Sequence, residues 1–528
     1  MHLSEDQDQR ERSDKADVII QEKVQQKWQS YLWDTFDKSP EERKFLFKLD
    51  FALLAFASLG YFIKYLDQAN VNNAFVSGMK EQLGLYGNEL NYMQSCWTAG
   101  YVIGQIPSNI LLTRIRPSIW IPSMEVAWTV LTFCLCRCTS ARQIYAVRFF
   151  VGLAESSFYP GMQYVIGSWY RKDELAKRSC IFHVSSAIAT MCSGYLMAAV
   201  YHLGGIGGYA GWQWLFIVDG IISLPIALAG YLFIPDVPET SRAFYLSKDD
   251  RAFANKRMQL EGRKPRAPYT KIKIRRILTS WHIYALTALY VFFNNGAAGA
   301  APVFAQFLKD SKDPKYSIAQ INDYPTTTYA VQIVTTLIFA WSSDSFLHGD
   351  RLPPIVLGGI INIICYVSLA VWDISTGWRW TCYILSGAGY GLSGLCMAYV
   401  RLFAQVTVCS TDAYGSLSWA HEICANDNEE RAIVVASMNE IAYVLQAWLP
   451  LLVWQQVDAP QYRKGFITIT VLSAALIGTG FITKALHKNE DRRQSHESQA
   501  TEPHLEDGSV RPSGDDVESE HVQITAKG

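Results

Sequence analysis

Apolar stretches of about 20 residues recur along this chain, and each has the length of a helix crossing the hydrocarbon core of a bilayer. They fall at roughly 50–70, 91–112, 119–139, 143–167, 177–201 and 212–234. A second set follows at roughly 281–307, 323–346, 354–372, 379–398, 432–455 and 464–486. Only 18% of the 528 residues are charged, against about a quarter in soluble proteins. Those charges crowd into residues 1–50, 235–276 and 484–528. The expected fold is therefore an all-α membrane protein with twelve transmembrane helices.

Orientation follows from the loops. Segment 235–280 carries twelve Lys or Arg against five Asp or Glu, which favours a cytosolic position. Six spans on either side then place both termini in the cytosol. The expected organisation is a polar cytosolic tail over 1–48, a six-helix bundle over 49–234 and a basic linker over 235–280. A second six-helix bundle over 281–486 and a disordered acidic tail over 487–528 complete it. The amino-terminal tail has no apolar core, so it is not a cleavable signal peptide.

The halves resemble each other. "RIRP" after the second span has a counterpart in "GDRLPP" after the eighth, and "DELAKRS" after the fourth in "DNEERAI" after the tenth. Two related six-helix halves are the plan of carriers with a site near the midplane. Arg116 and Arg351 are 235 positions apart, whereas Arg178 and Arg431 are 253 apart. Extra residues have entered the second half between these markers, best placed at 399–418. They are either a genuine hairpin or a translated intron, and the second is favoured.

Ionisable side chains inside a bilayer are costly and mark function by default. In "RFFVGLAESSFYPG", Arg148 and Glu155 lie two turns apart on one helical face. A guanidinium stays charged and its planar fork fits a carboxylate, while a glutamate can exchange a proton. A structural Arg–Glu pair is the alternative. Asp67 is followed by Asn70, Asn72 and Asn73, a helix end or a cavity-lining acid beside amides. Asn294 and Asn295 sit next to Gly296 and ahead of Pro302, where a loosened helix can offer donors to a substrate oxygen. Lys64 either faces the cavity or snorkels outward. His183 is a packing residue or a proton relay. For Glu125 and Asp219 a structural role weighs as much as a transport role.

Other signals carry less. The near-zero net charge of −1 gives no reason to expect nucleic acid. Eleven cysteines lie mostly in apolar runs, and the spacing of Cys134, Cys136 and Cys138 suits no metal site. "GYGLSG" follows no strand, "HEICA" lacks a second histidine, and neither a phosphate-binding loop nor a nucleophile triad is present. No metal, organic cofactor or enzymatic reaction is expected.

Residues 45–486 resemble the anion:cation symporters of the major facilitator superfamily, specifically the fungal allantoate permease group. The span-4 motif above carries the likeness, together with "GWQWLFIVDG" at 211–220. "YLDQANVNNAFVSGMKEQLGLYGNELN", "FFNNGAAGAAPVFAQFLKDSKDPKYS", "WAHEICANDNEERA" and "AWLPLLVWQQVDAPQYRKGF" are similar to fungal pantothenate transporters. The resemblance implies a monomeric, proton-coupled importer of an organic anion in the plasma membrane, with pantothenate as first expectation. Allantoate, biotin or nicotinate is the alternative within carriers, and a nutrient sensor without transport the alternative outside them. It also implies proton coupling at Asp67 and Glu155 and a substrate or coupling role for Arg148. One departure stands out: many relatives have arginine after the span-1 aspartate, where this chain has Gln68.

Overall fold

The computed structural model describes residue 35 and residues 38–112, 114–260, 271–297, 300–345, 352–390 and 428–501; the anomalous stretch 399–418 lies outside them. Every regular element among the described residues is helical. The chain divides into two compact units, Met1–Thr483 and Lys484–Gly528.

The first helix, α1 (Pro40–Leu49), begins inside the expected polar tail. Ser39 caps it by accepting from the Glu42 N–H at 3.3 Å, proline opens it, and Glu41 and Glu42 fill the first turn. A π-helical turn, Asp50–Leu54, leads into α2 (Ala55–Ala74). The first half continues with α3 (Glu89–Leu112), α4 (Pro117–Cys134), α5 (Ala141–Glu155), α6 (Phe158–Trp169), α7 (Lys172–Val200) and α8 (Gly211–Phe233). The linker contributes α9 (Lys248–Leu260) and α10 (Lys271–Thr279). The second half holds α11 (Trp281–Ala297), α12 (Ala300–Asp310), α13 (Ile318–Asp323), α14 (Thr326–Ser345), α15 (Leu352–Val371), α16 (Thr376–Leu385), α17 (Gly387–Tyr390), α18 (Asn428–Val453) and α19 (Arg463–Thr501).

Six helical runs among the described residues are long and apolar enough to span a membrane: Pro40–Leu83, Pro117–Arg137, Ile181–Leu203, Gly211–Phe233, Leu352–Val371 and Arg463–Glu490. Of the other expected spans, 281–307 and 379–398 lie partly outside the described residues. The stretch 143–167 was expected as one helix, yet it breaks at Ser156 and Ser157. Pro160 has no N–H for the Ser156 carbonyl, and both serine hydroxyls turn back onto the carbonyls of Leu153 and Ala154, at 2.7 and 3.0 Å. The tail also differs from expectation: α19 runs through 487–501, where disorder was expected. Its Lys, Glu, Arg and Gln residues are good helix formers and extend an already nucleated helix.

Small residues set the helix spacing. A Cβ on Gly152 would lie 2.0 Å from the Trp97 carbonyl oxygen, and one on Gly100 would lie 2.0 Å from that of Phe149. Only glycines at both positions let α3 and α5 cross backbone to backbone. The second half repeats the device: a Cβ on Gly387 would lie 2.1 Å from the Thr328 carbonyl oxygen. Gly152 and Gly387 are 235 positions apart, the same offset as Arg116 and Arg351. The repeat legible in the loops is thus also written in the packing.

The linker is more than a basic loop. Arg257 of α9 is 1% exposed and meets Glu42 of α1 at 3.0 Å and Glu174 of α7. Arg178 holds both oxygens of Asp50, at 2.6 and 2.9 Å, in the fork geometry that favours arginine. Lys48 meets Asp250 at 2.7 Å. These pairs clamp the linker helix, the first helix and the head of α7 together.

Candidate functional site

α2 carries the centre of the site. Its buried face presents Lys64, Asp67 and Asn70, at 2%, 1% and 0% exposure, with a spacing of three that places them on one helical stripe. α5 presents Arg148 and Glu155 to the same region, both buried. The five residues that the sequence nominated in these two helices therefore gather in one buried cluster.

Arg148 and Glu155 share a face, as their spacing predicts. Seven residues are about 10 Å of helix rise, too far for direct contact along the axis. Glu155 Oε2 instead accepts from Gln68 Nε2 at 2.7 Å, and Lys64 and Arg148 are the cations nearest to it. Gln68, which reads in sequence as a lost arginine, is the acid's hydrogen-bond donor. Arg148 stacks its guanidinium 5.8 Å from the Trp97 ring. Its Nε and Nη1 are buried and have no hydrogen-bond partner among the described residues.

Asp67 lies beside Asp219 of α8, with Glu155 and Arg148 as further neighbours. Neither of its oxygens has a hydrogen-bond donor among the described residues. Asp219 accepts from Ser223 at 3.4 Å. The structure thus brings Asp219 into the acid cluster. Glu125 sits apart, wedged between α2 and α8: a Cβ on Gly60 would lie 2.9 Å from Glu125 Oε1, and one on Gly230 would lie 3.5 Å from Oε2.

Lys64 does not snorkel. Its Nζ lies 4.5 Å from the Tyr101 ring centroid, a cation–π contact. Tyr443 of α18 reaches across from the second half and packs on Tyr101 with centroids 4.7 Å apart. Tyr61 donates to Tyr65 at 3.2 Å. Tyr101, with Tyr443 packed on it, forms an aromatic wall beside the buried cation. His183 meets the Tyr159 hydroxyl at 3.5 Å and packs edge-on against Tyr61. Sequence reasoning passed over the tyrosines because aromatic residues at helical spacing are common in any core.

The amides divide by role. Asn70 Oδ1 accepts from Ser193 at 2.6 Å, and Asn73 donates to the same hydroxyl at 2.7 Å. Asn294 faces Gln446 at 3.4 Å. Asn295 donates to the carbonyls of Val291 and Ala442, at 3.0 and 3.2 Å, so its side chain ties α11 to α18.

The two halves touch each other directly. Lys309 pairs with Glu81 at 2.7 Å, Asn91 donates to the Trp454 carbonyl at 2.7 Å, and the Gln456 N–H donates to Asn88 at 3.1 Å. Asn322 donates to Ser77 at 2.9 Å.

Comparison with known proteins agrees with this architecture. The family model described as Major Facilitator Superfamily matches residues 57–417. The chain is 34% identical to "Pantothenate transporter liz1" of Schizosaccharomyces pombe, covering 85% of this chain and 84% of that protein. It is 31% identical to "Pantothenate transporter FEN2" of Saccharomyces cerevisiae, covering 86% of each. Among solved structures, the xylose transporter XylE from E. coli, in a partially occluded inward-open conformation, superposes with a TM-score of 0.57. That match has 12% identity, covers 80% of this chain and 97% of XylE, and bears on the fold alone. The chain belongs to the Major Facilitator Superfamily and is a multi-pass membrane transporter rather than an enzyme.

Proposed function

We propose that this protein imports an organic carboxylate, pantothenate first among them, across the plasma membrane together with protons. It works as a monomer of twelve spans in two six-helix bundles with both termini cytosolic, and it uses no cofactor other than the coupling ion. The observation that carries the reading is the unspent guanidinium of Arg148, with buried N–H groups that have no acceptor among the described residues. A carboxylate is the ligand whose geometry and charge match that fork. The relatives described as pantothenate transporters supply the candidate.

Asp67 and Glu155 are the proposed proton carriers. Protonated from outside, they cancel negative charge in the cluster, and the substrate carboxylate then pairs with Arg148. A neutralised site costs less to close between the two halves. Proton loss to the cytosol restores the acids and repels the anion. In the proposed topology the contacts of Glu81 with Lys309 and of Asn91 with Trp454 lie on the outer side, where they would close the external path. One pH unit supplies about 1.4 kcal/mol per proton, and the membrane potential adds about 2.3 kcal/mol per net charge per 100 mV. A second proton would harvest the potential as well.

The test is uptake of radiolabelled pantothenate by cells that express this chain and lack their own carrier. Uptake is expected to be faster at acidic than at neutral external pH. No uptake, or uptake indifferent to pH, would overturn the proposal.

A further inference from the structure

A cavity of about 50 Å³ lies between the two halves, and its lining residue Asn73 shares the Ser193 hydroxyl with Asn70 of the buried cluster. From the first half Asn72 and Asn73 line it, and from the second Gln306, Asn322 and Thr326. None of its lining residues carries a charge. We propose that this cavity is a second substrate subsite, which receives the uncharged hydroxyl or amide end of an extended carboxylate while its charged end lies at Arg148. The proposal rests on the carboxylate reading above and adds what the far end of the molecule must be.

The chemistry of the lining carries it. An ionised group entering a pocket of carboxamides and a threonine hydroxyl would lose hydration with no counter-charge to replace it. A hydroxyl or an amide would instead exchange water for donors and acceptors of its own kind. One acceptor is vacant: Asn322 is 2% exposed, its Nδ2 donates to Ser77 and to the Ile318 carbonyl, and its Oδ1 has no donor among the described residues. A carboxamide oxygen left unmatched in the interior is costly, and a substrate hydroxyl would satisfy it. The volume suits a small polar group: by the same measure a single water needs about 10–15 Å³.

Asn72 and Asn73 follow Asp67 by five and six residues on α2, so they lie about 8–9 Å further along its axis. The fitting solute has a carboxylate at one end and hydroxyl or amide groups at the other. The two halves meet tightly here, since a Cβ on Gly194 would lie 2.6 Å from the Asn322 carbonyl oxygen. Because both halves line the cavity, a ligand seated in it contacts both at once.

The experiment compares two competitors of labelled pantothenate uptake in cells: unlabelled pantothenate and its analogue with both hydroxyls replaced by hydrogen. The wild-type protein is expected to favour the hydroxylated compound by about tenfold or more in inhibition constant, the worth of one well-made buried hydrogen bond. In Asn322→Leu and in Thr326→Val the preference is expected to fall to about twofold or less, at matched surface expression. Thr326→Val is close to isosteric and supplies the comparison if Asn322→Leu fails to reach the membrane. An unchanged preference in variants that still take up pantothenate, or equal inhibition by both competitors in the wild type, would overturn the subsite and leave the parent reading standing. A wild-type protein that takes up no pantothenate would overturn the parent reading, and the subsite with it.

Discussion

Replacing Gly152 by alanine is the sharpest test of how this fold holds its site. The new Cβ would lie 2.0 Å from the Trp97 carbonyl oxygen and 2.9 Å from its carbon, where 3.4–4 Å is ordinary contact. The obstacle is backbone, so no rotamer change relieves it, and α5 must withdraw from α3 by about 1 Å. Overpacking of this kind costs about 1–3 kcal/mol. The functional cost is larger, because Arg148 and Glu155 ride on α5, and a displacement of about 1 Å can lower a rate by about 100-fold. Gly167 on α6 is the internal control: a Cβ there has nothing within 4 Å, and alanine in an open helical position is worth about 0.5–1 kcal/mol over glycine. Thermal unfolding of the purified protein in detergent and pantothenate uptake in cells are read together. Gly152→Ala should unfold at a lower temperature and lose uptake, while Gly167→Ala should match or exceed the wild type in stability. If Gly152→Ala behaves like Gly167→Ala in both assays, the claim that a glycine crossing positions the site is wrong.

Two further outcomes follow from particular contacts. Gln68→Leu removes the hydrogen bond of 2.7 Å that Gln68 donates to Glu155; a lost hydrogen bond to a charged group is worth about 1.5–3 kcal/mol, so uptake should fall by about 10- to 100-fold, read as initial rates at matched surface expression. In the linker clamp, burial alone would raise the Asp250 carboxyl, but the hydrogen bonds from Lys48 and Ser247 outweigh it and hold it below the usual range. Its folded-state value is depressed, so its stabilisation is present above the ordinary carboxylate range and is lost as pH falls through the folded value. Asp250→Asn should therefore lower the unfolding temperature slightly near neutral pH, in keeping with the about 0–1 kcal/mol of a pair that solvent still reaches, and the difference should vanish in strong acid.

Much of this was legible in the residues. Long apolar runs announce membrane helices because only a bilayer calls for so many of them. Arg148 and Glu155 stand out because charge is expensive there, and their spacing places both on the buried face of α5. Asp67 stands out in the same way. Partnership was not legible. Nothing local says that Gln68 donates to Glu155, that Asp219 lies beside Asp67, or that Arg257 leaves a basic run to bury itself against two glutamates. Each of those contacts joins positions far apart in the chain, and only packing decides it. The break at Ser156 and Ser157 was visible in principle from Pro160, but the surrounding apolar residues read as one continuous span. The aromatic wall beside Lys64 gave no signal, since tyrosines lining a cation and tyrosines filling a core have the same spacing.

The most direct measurement uses purified protein in liposomes with an imposed pH gradient, acidic on the side from which pantothenate is taken up. The wild type should concentrate the labelled vitamin and release it when an ionophore collapses the gradient. Asp67→Asn and Glu155→Gln should lose this concentration, and Arg148→Met should lose binding altogether. Full accumulation by the two acid variants, driven by the same gradient, would contradict the account.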